Sequence, residues 1–293
     1  MNTKRGRAHA FPFLMIKTTG NNLFHYCIAT LSSFDDGEKK ALVYILLEDA
    51  YGVSKTDILL NKSLSIDVEK LDTQLQQLNN NVPIQHLVGF AIFRNRKFSV
   101  SPDVLIPRPE TEEIIDIIKD FGLDRPEIID IGTGSGCIAI SLDLEINNAS
   151  VKAIDISEKV LAVAQKNAEA HNSKVQFLLE DFLNYSSAVK GKYDLIISNP
   201  PYIKQSEAAE MDDNVLKHEP HIALFVENED PLIFYRHIAA FGHENLKKAG
   251  AIVVEINANL GIETKKLFQA SGYSDVKLIS DFYDKDRFVV AKR

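Results

Sequence analysis

Glu127-Ile128-Ile129-Asp130-Ile131-Gly132-Thr133-Gly134-Ser135-Gly136 reads as a short apolar strand that runs into a glycine-rich turn, with a helix expected behind it. Glycines at such a turn let the backbone come close to a ligand, and the helix start leaves N–H groups free. Asp155 follows 21 residues after Gly134, near the end of the next strand-like run. An acid in that place accepts hydrogen bonds from ribose hydroxyls. Together these features announce a nucleoside cofactor without naming it. Gly134-x-Gly136-x-x-Ala139 also satisfies the dinucleotide pattern, so a nicotinamide dehydrogenase stays open at this point.

Outward from the turn, apolar strand-like runs recur at residues 151–156, 175–179, 193–198 and 251–256, separated mostly by helical patterns such as 157–170, which Ser157 is placed to cap. Such alternation implies a parallel sheet covered on both faces. Residues 276–280 and 287–291 should pair antiparallel across a short polar loop. The expected architecture is α/β: a doubly wound, Rossmann-like sheet ending in an antiparallel hairpin, preceded by a small helical domain.

That helical domain is expected over residues 17–80. One helix spans 38–50, with apolar positions at Leu42, Ile45, Leu46 and Leu47 and Gly52 as its stop. A second carries Val68, Leu71, Leu75 and Leu78 at helical spacing, with Asp67 as N-cap, and no strand is expected before residue 80. Residues 81–106 read as a β-hairpin linker turning at Arg94-Asn95-Arg96, and 107–293 as the cofactor-binding domain. Residues 1–16 read as a disordered leader: basic, with too short an apolar core for a signal peptide.

Composition narrows the classes. The 293 residues carry a net charge of −8, which disfavours a protein that grips long stretches of phosphate backbone. No run is long and apolar enough to span a bilayer. Cys27 and Cys137 are too few for a disulfide framework, and no metal-ligand spacing occurs. A soluble, cytoplasmic, monomeric protein is expected.

Asp130 tilts the cofactor choice. A carboxylate there repels a pyrophosphate and suits the cationic amino-acid end of S-adenosylmethionine. Asp181 and Phe182, after the third strand, are placed to meet an adenine by hydrogen bond and by stacking. The deciding motif is Asn199-Pro200-Pro201-Tyr202, beyond the carboxyl end of strand 193–198, where ligands of open α/β sheets bind. An amide or exocyclic amine nitrogen is a poor nucleophile because its lone pair is delocalised. Two acceptors, the Asn199 side-chain oxygen and the Pro200 carbonyl, hold its N–H groups and aim the lone pair at the methyl group. Both also stabilise the charge that develops on nitrogen. The prolines stiffen the loop, and Tyr202 is expected to pack flat on the planar substrate group.

With these residues in view, the chain resembles the release-factor glutamine methyltransferases, the PrmC/HemK family. The marks are Val104-Leu105-Ile106-Pro107-Arg108-Pro109-Glu110-Thr111-Glu112, then 130–136, then Asn199–Tyr202, then Glu219-Pro220 ahead of Ala223-Leu224. The resemblance implies a class I methyltransferase sheet and methyl transfer from S-adenosylmethionine to the side-chain amide nitrogen, N5, of the glutamine in a Gly-Gly-Gln loop of peptide chain release factors. It implies cofactor contact by Gly132, Thr133, Gly134, Ser135, Gly136, Asp155, Phe182 and Asn199, beside Asp130 and Asp181. Substrate contact is implied for Asn199, Pro200, Pro201 and Tyr202, with Arg108 and Glu110 from the proline-rich stretch. Asn199, Pro200 and Tyr202 form the expected catalytic group.

The rival reading is an amino-methyltransferase of DNA or RNA bases, at adenine N6 or guanine N2. Charge discriminates: residues 204–231 hold eight acids against Lys204 and Lys217, a rim that repels phosphates and suits a basic protein loop. A cofactor-binding protein without catalysis is the third reading, and the complete asparagine–proline motif argues against it. His218 and His221 lack the carboxylate spacing of a general-base pair, and Cys137 reads as small core filler.

Overall fold

A computed structural model describes residues 15–293 and divides into two compact units that meet in sequence at Val88 and Gly89. The expected leader lies outside the described residues except for Met15 and Ile16.

The first unit is helical with one added pair of strands. It contains β1 (Met15–Thr19), α1 (Gly20–Thr30), α2 (Asp36–Tyr51), α3 (Lys55–Leu59), β2 (Ser63–Asp67), α4 (Val68–Asn79) and α5 (Ile84–Val88). Asp35 caps α2 through the Gly37 and Glu38 amides, and Gly52, at φ +68°, stops it. Asp67 caps α4 through the Lys70 amide, as its position implied. The core gathers Leu23 and Cys27 from α1, Val43, Leu46 and Leu47 from α2, and Leu71, Leu75 and Leu78 from α4. Two readings need correction. Ile45 faces outward, at 38% exposure, and Val43 takes the core position one turn before Leu46 and Leu47. The unit is also not strand-free: β1 and β2 pair antiparallel, from Met15 opposite Asp67 to Thr19 opposite Ser63. β2 carries alternating serines and was invisible as a strand without its distant partner.

The second unit opens with the hairpin of β3 (Phe90–Phe93) and β4 (Arg96–Ser99). Arg94 and Asn95 both take positive φ, the two-residue turn that matches the twist of a hairpin. Phe93 and Phe98 are fully buried in the main core, so these residues build the second unit rather than merely precede it. Arg94 spans both carboxylate oxygens of Glu145, Arg96 shares Oε1 and Lys119 shares Oε2.

Beyond α6 (Glu113–Lys119) come β5 (Glu127–Ile131), α7 (Cys137–Glu145), β6 (Ser150–Asp155), α8 (Glu158–His171), β7 (Gln176–Leu179) and β8 (Tyr193–Ser198). The two-residue strands β9 (Ile203–Lys204) and β10 (Phe225–Val226) pair in parallel, enclosing α9 (Asp213–His218) and α10 (His221–Leu224). The chain ends with α11 (Ile233–Asn245), β11 (Leu246–Glu255), α12 (Gly261–Ala270), β12 (Asp275–Ser280) and β13 (Asp286–Lys292).

Seven of these strands form one sheet in the order β12-β13-β11-β8-β5-β6-β7. Only β13 runs antiparallel to its neighbours β11 and β12. Successive strand residues feed opposite cores, as in a sheet covered on both faces. Ile128, Ile197 and Val253 join α6 and α7 on one side; Ile129, Ile196 and Val254 join α11 and α12 on the other. The expected α/β architecture is therefore present, antiparallel hairpin included. No helix among the described residues is long and apolar enough to cross a membrane.

Candidate active site

β5 and β8 lie side by side in parallel, with Ile131 opposite Ser198. The buried Ser198 hydroxyl donates to the Ile131 carbonyl at 2.7 Å, tying the two strand ends together. The glycine turn and the asparagine–proline turn thus leave the sheet next to each other, at the carboxyl edge where open α/β sheets hold ligands. A cavity of about 430 Å³ sits there.

The glycine turn is built for close approach. Gly132 and Gly134 take φ of +72° and +57°, and a Cβ on either would project into open space rather than into protein. Their amides are held from behind: Gly132 and Thr133 donate to the Ile154 carbonyl, and Gly134 donates to Asp155 Oδ2 at 3.1 Å. Asp155 Oδ1 accepts the Ser157 amide at 3.2 Å, which fixes the carboxylate at the cavity wall; burial raises its pKa and the backbone amides oppose that. Asp181 accepts from the Leu183 amide and from Asn184 Nδ2. Phe182 is 6% exposed and packs beside Tyr185 and edge-on to Phe241.

Gly132, Thr133, Gly134, Ser135, Asp155, Asp181, Phe182, Asn199, Pro200, Pro201 and Arg108 all line the one cavity, although they come from five separated stretches of chain. The open cradle over Gly132 and Gly134 and the two anchored carboxylates fit an adenosyl group with an amino-acid end. Those residues would hold it.

Four expected site residues lie off the wall. Gly136 sits behind the turn, its Cα facing Ile140 and Ala164 of the packed helices. Glu110 begins the short turn before α6. Asp130 is fully buried beneath the glycines, where Oδ2 accepts the Thr133 hydroxyl at 2.7 Å. Burial pushes its carboxyl up to about 7, with the Thr133 hydrogen bond opposing and the Asp155 charge adding. Its position corrects the expectation of direct contact with a cationic ligand group: Asp130 holds Thr133, and Thr133 meets the cavity. Tyr202 turns away too. Its hydroxyl donates to Glu255 Oε1 at 3.1 Å, and its ring packs against the core of the α11 face, so it does not present a flat surface to the cavity.

Sequence reasoning gave no role in the site to three residues that hold it together, although Thr111 and Glu219 stand within the stretches that carry the family resemblance. Glu219, 5% exposed, accepts from Arg108 Nη2 at 2.5 Å and from the Ile106 amide at 3.1 Å, which straps the proline-rich stretch to the segment after the motif. Thr111, 3% exposed, accepts from Asn199 Nδ2 at 3.4 Å and donates to Glu255 Oε2 at 2.7 Å. Glu255 carried one signal: an acid at the carboxyl end of an otherwise apolar run, Ala251-Ile252-Val253-Val254.

The chain is similar to known proteins over most of its length. Residues 22–89 match the family model of the PrmC N-terminal domain, and residues 114–221 that of the methyltransferase small domain. A release factor glutamine methyltransferase of Bacteroides thetaiotaomicron is 44% identical over 259 residues, covering 87% of this chain and 93% of the relative. One from Flavobacterium psychrophilum is 42% identical, covering 89% and 94%. Among solved structures, a methyltransferase from Pyrococcus furiosus aligns with a TM-score of 0.51 at 20% identity, over 75% of this chain and 97% of that one. The Thermus thermophilus 16S rRNA N2 G1207 methyltransferase, solved with AdoMet and guanosine, aligns at 0.50 and 17% identity, over 70% and 50%. At such identities the structural likeness shows a shared fold.

Proposed function

We propose a reaction for a chain that belongs to the family of release factor glutamine methyltransferases, enzymes that use S-adenosylmethionine. The reaction is methyl transfer to the side-chain amide nitrogen, N5, of the glutamine in the Gly-Gly-Gln motif of peptide chain release factors. The observation that carries it is the presence of Asn199, Pro200 and Pro201 on the wall of the same cavity as the open glycine turn and Asp155.

S-adenosylmethionine supplies an electrophilic methyl group on a sulfonium sulfur and departs as the neutral thioether S-adenosylhomocysteine. Gly132, Thr133, Gly134, Ser135, Asp155, Asp181 and Phe182 hold it, with Asp130 acting through Thr133. Asn199 Oδ1 and the Pro200 carbonyl oxygen accept the two N–H groups of the glutamine amide, pointing its lone pair away from its own carbonyl and toward the methyl carbon. As the N–C bond forms and the methyl–sulfur bond breaks, both oxygens stabilise the positive charge on nitrogen, which then sheds one proton to solvent water. Arg108, tied to Glu219, shapes the wall that receives the glutamine.

The partner is a release factor, and no nucleic acid is bound directly: the acidic run 204–231 supports a basic protein loop over a phosphate backbone. The helical segment 17–80 takes part in recognising that partner. The enzyme works as a cytoplasmic monomer.

Methyl transfer from labelled S-adenosylmethionine tests the reading. Purified release factor, the same factor with its Gly-Gly-Gln glutamine changed, and duplex DNA are offered separately. Label on the intact factor alone is expected. Label on DNA would replace this reading with base methylation.

A further inference from the structure

Glu255 ends β11 at 2% exposure, and both of its carboxylate oxygens are taken by hydroxyl groups. Thr111 donates to Oε2 and Tyr202 donates to Oε1. A threonine hydroxyl has one hydrogen and an ionised carboxylate only accepts, so Thr111 has nothing left to donate. It meets Asn199 as an acceptor, and the Asn199 carboxamide must turn its NH2 group toward it. Among the described residues, no protein group bonds Asn199 Oδ1. The other end of the same planar group is thereby left to the cavity that Asn199 lines.

We propose that Glu255 and Thr111 are positioning residues for methyl transfer: the buried carboxylate fixes the direction of the Thr111 hydroxyl, and that hydroxyl fixes which end of the Asn199 carboxamide meets the substrate. The proposal rests on the reading that Asn199 Oδ1 receives the amide to be methylated. Without the relay the carboxamide can rotate by half a turn at little cost. It would then offer NH2 to a substrate NH2, donor against donor, and an unmatched donor pair in a dry site is costly. Glu255 reaches the motif a second time through Tyr202, and Asn257 Nδ2 bonds the Tyr202 carbonyl from the segment after β11.

Protonation of Glu255 would undo the relay, because a carboxylic acid can donate to Thr111 and release the threonine hydrogen toward Asn199. Burial raises the Glu255 pKa, opposed by Thr111, Arg287 on β13 and Tyr202, with Glu110 adding to the rise; the Tyr235 hydroxyl from α11 bonds its backbone carbonyl. The active form is the charged one, so turnover falls as pH drops through a range above that of an ordinary glutamate.

The experiment uses the full chain and three variants, Thr111→Val, Thr111→Ser and Glu255→Gln. Three readouts are taken: kcat and KM for methylation of intact release factor across pH, affinity for S-adenosylhomocysteine by calorimetry, and the side-chain amide NMR signals of Asn199. Thr111→Val keeps the shape and should lower kcat by roughly ten- to a hundredfold while S-adenosylhomocysteine affinity stays put. Thr111→Ser should restore it, Glu255→Gln should flatten the acid limb, and the Asn199 signals should move in Thr111→Val and in Glu255→Gln. Wild-type kcat in Thr111→Val, or a parallel loss of kcat and S-adenosylhomocysteine affinity, overturns the proposal. Asn199 signals unmoved by Thr111→Val overturn it whatever the substrate. A wild-type chain that leaves release factor unlabelled defeats instead the reading on which the proposal rests.

Discussion

Arg108 and Glu219 meet at 2.5 Å although 111 residues separate them, and this pair joins the proline-rich stretch ahead of α6 to the segment between α9 and α10. Glu219 is almost wholly buried while Arg108 keeps a third of its side chain in water. The carboxylate therefore depends on its partners: the guanidinium on one oxygen and the Ile106 amide on the other.

Glu219→Gln should loosen this strap, since only one of the two contacts survives with full strength. A hydrogen bond to a charged group contributes about 1.5–3 kcal/mol. Isothermal calorimetry should show weaker S-adenosylhomocysteine binding, because Ile106 and Arg108 both line the cavity. Unchanged affinity would mean that the strap does not shape the cavity.

Asn199→Ala should lose most turnover while cofactor affinity falls modestly. Asn199 is proposed to bond chiefly the reacting nitrogen, so its loss is felt in the transition state. Steady-state kinetics beside a direct binding measurement separates the two. Wild-type turnover in the variant would defeat the mechanism.

Gly134→Ala should damage the proposed cofactor site more than the fold. The φ of +57° costs an alanine about 1–2 kcal/mol, and no protein atom stands where the new methyl would go. That methyl enters the cavity. The melting temperature should drop by a few degrees for a cost of that size, while S-adenosylhomocysteine binding should fall by about tenfold or more. Intact binding would show that the cradle over Gly134 is not used.

Glu145 controls how the hairpin tolerates acid. Burial alone would raise its pKa, but Arg94, Arg96 and Lys119 outweigh it and hold the carboxyl at about 2. The folded value lies below the unfolded one, so the contribution to stability is complete above the unfolded value of about 4.5 and is lost as pH falls toward 2. Glu145→Gln should cost about 2 kcal/mol at neutral pH, and the gap from wild type should close across that window. Urea melts at several pH values would show it; a gap independent of pH would place the effect elsewhere.

Local chemistry was legible in the residues themselves. Asp67 and Ser157 each accept an amide of the helix they precede, because a cap acts within one turn. The apolar runs of the sheet were legible because a strand buried on both faces has no room for polar residues, and the asparagine–proline motif was legible because its two prolines fix the local backbone whatever lies around them. β1 was not, because Met15–Thr19 becomes a strand only against Ser63–Asp67.

By itself, then, the sequence determined the succession of the seven strands of the large sheet, the glycine turn at the end of β5 and the asparagine–proline turn at the end of β8. These depend on dihedral preference and hydrophobic period, which act over a few residues. Only the tertiary structure decided that Asp130 sits beneath the glycines and that Tyr202 turns toward Glu255 and away from the cavity. It also brought Thr111 to Glu255 across 144 residues and Arg108 to Glu219. The direction of a polar side chain is set by whichever donor or acceptor the fold buries beside it, and chain spacing holds no record of that neighbour.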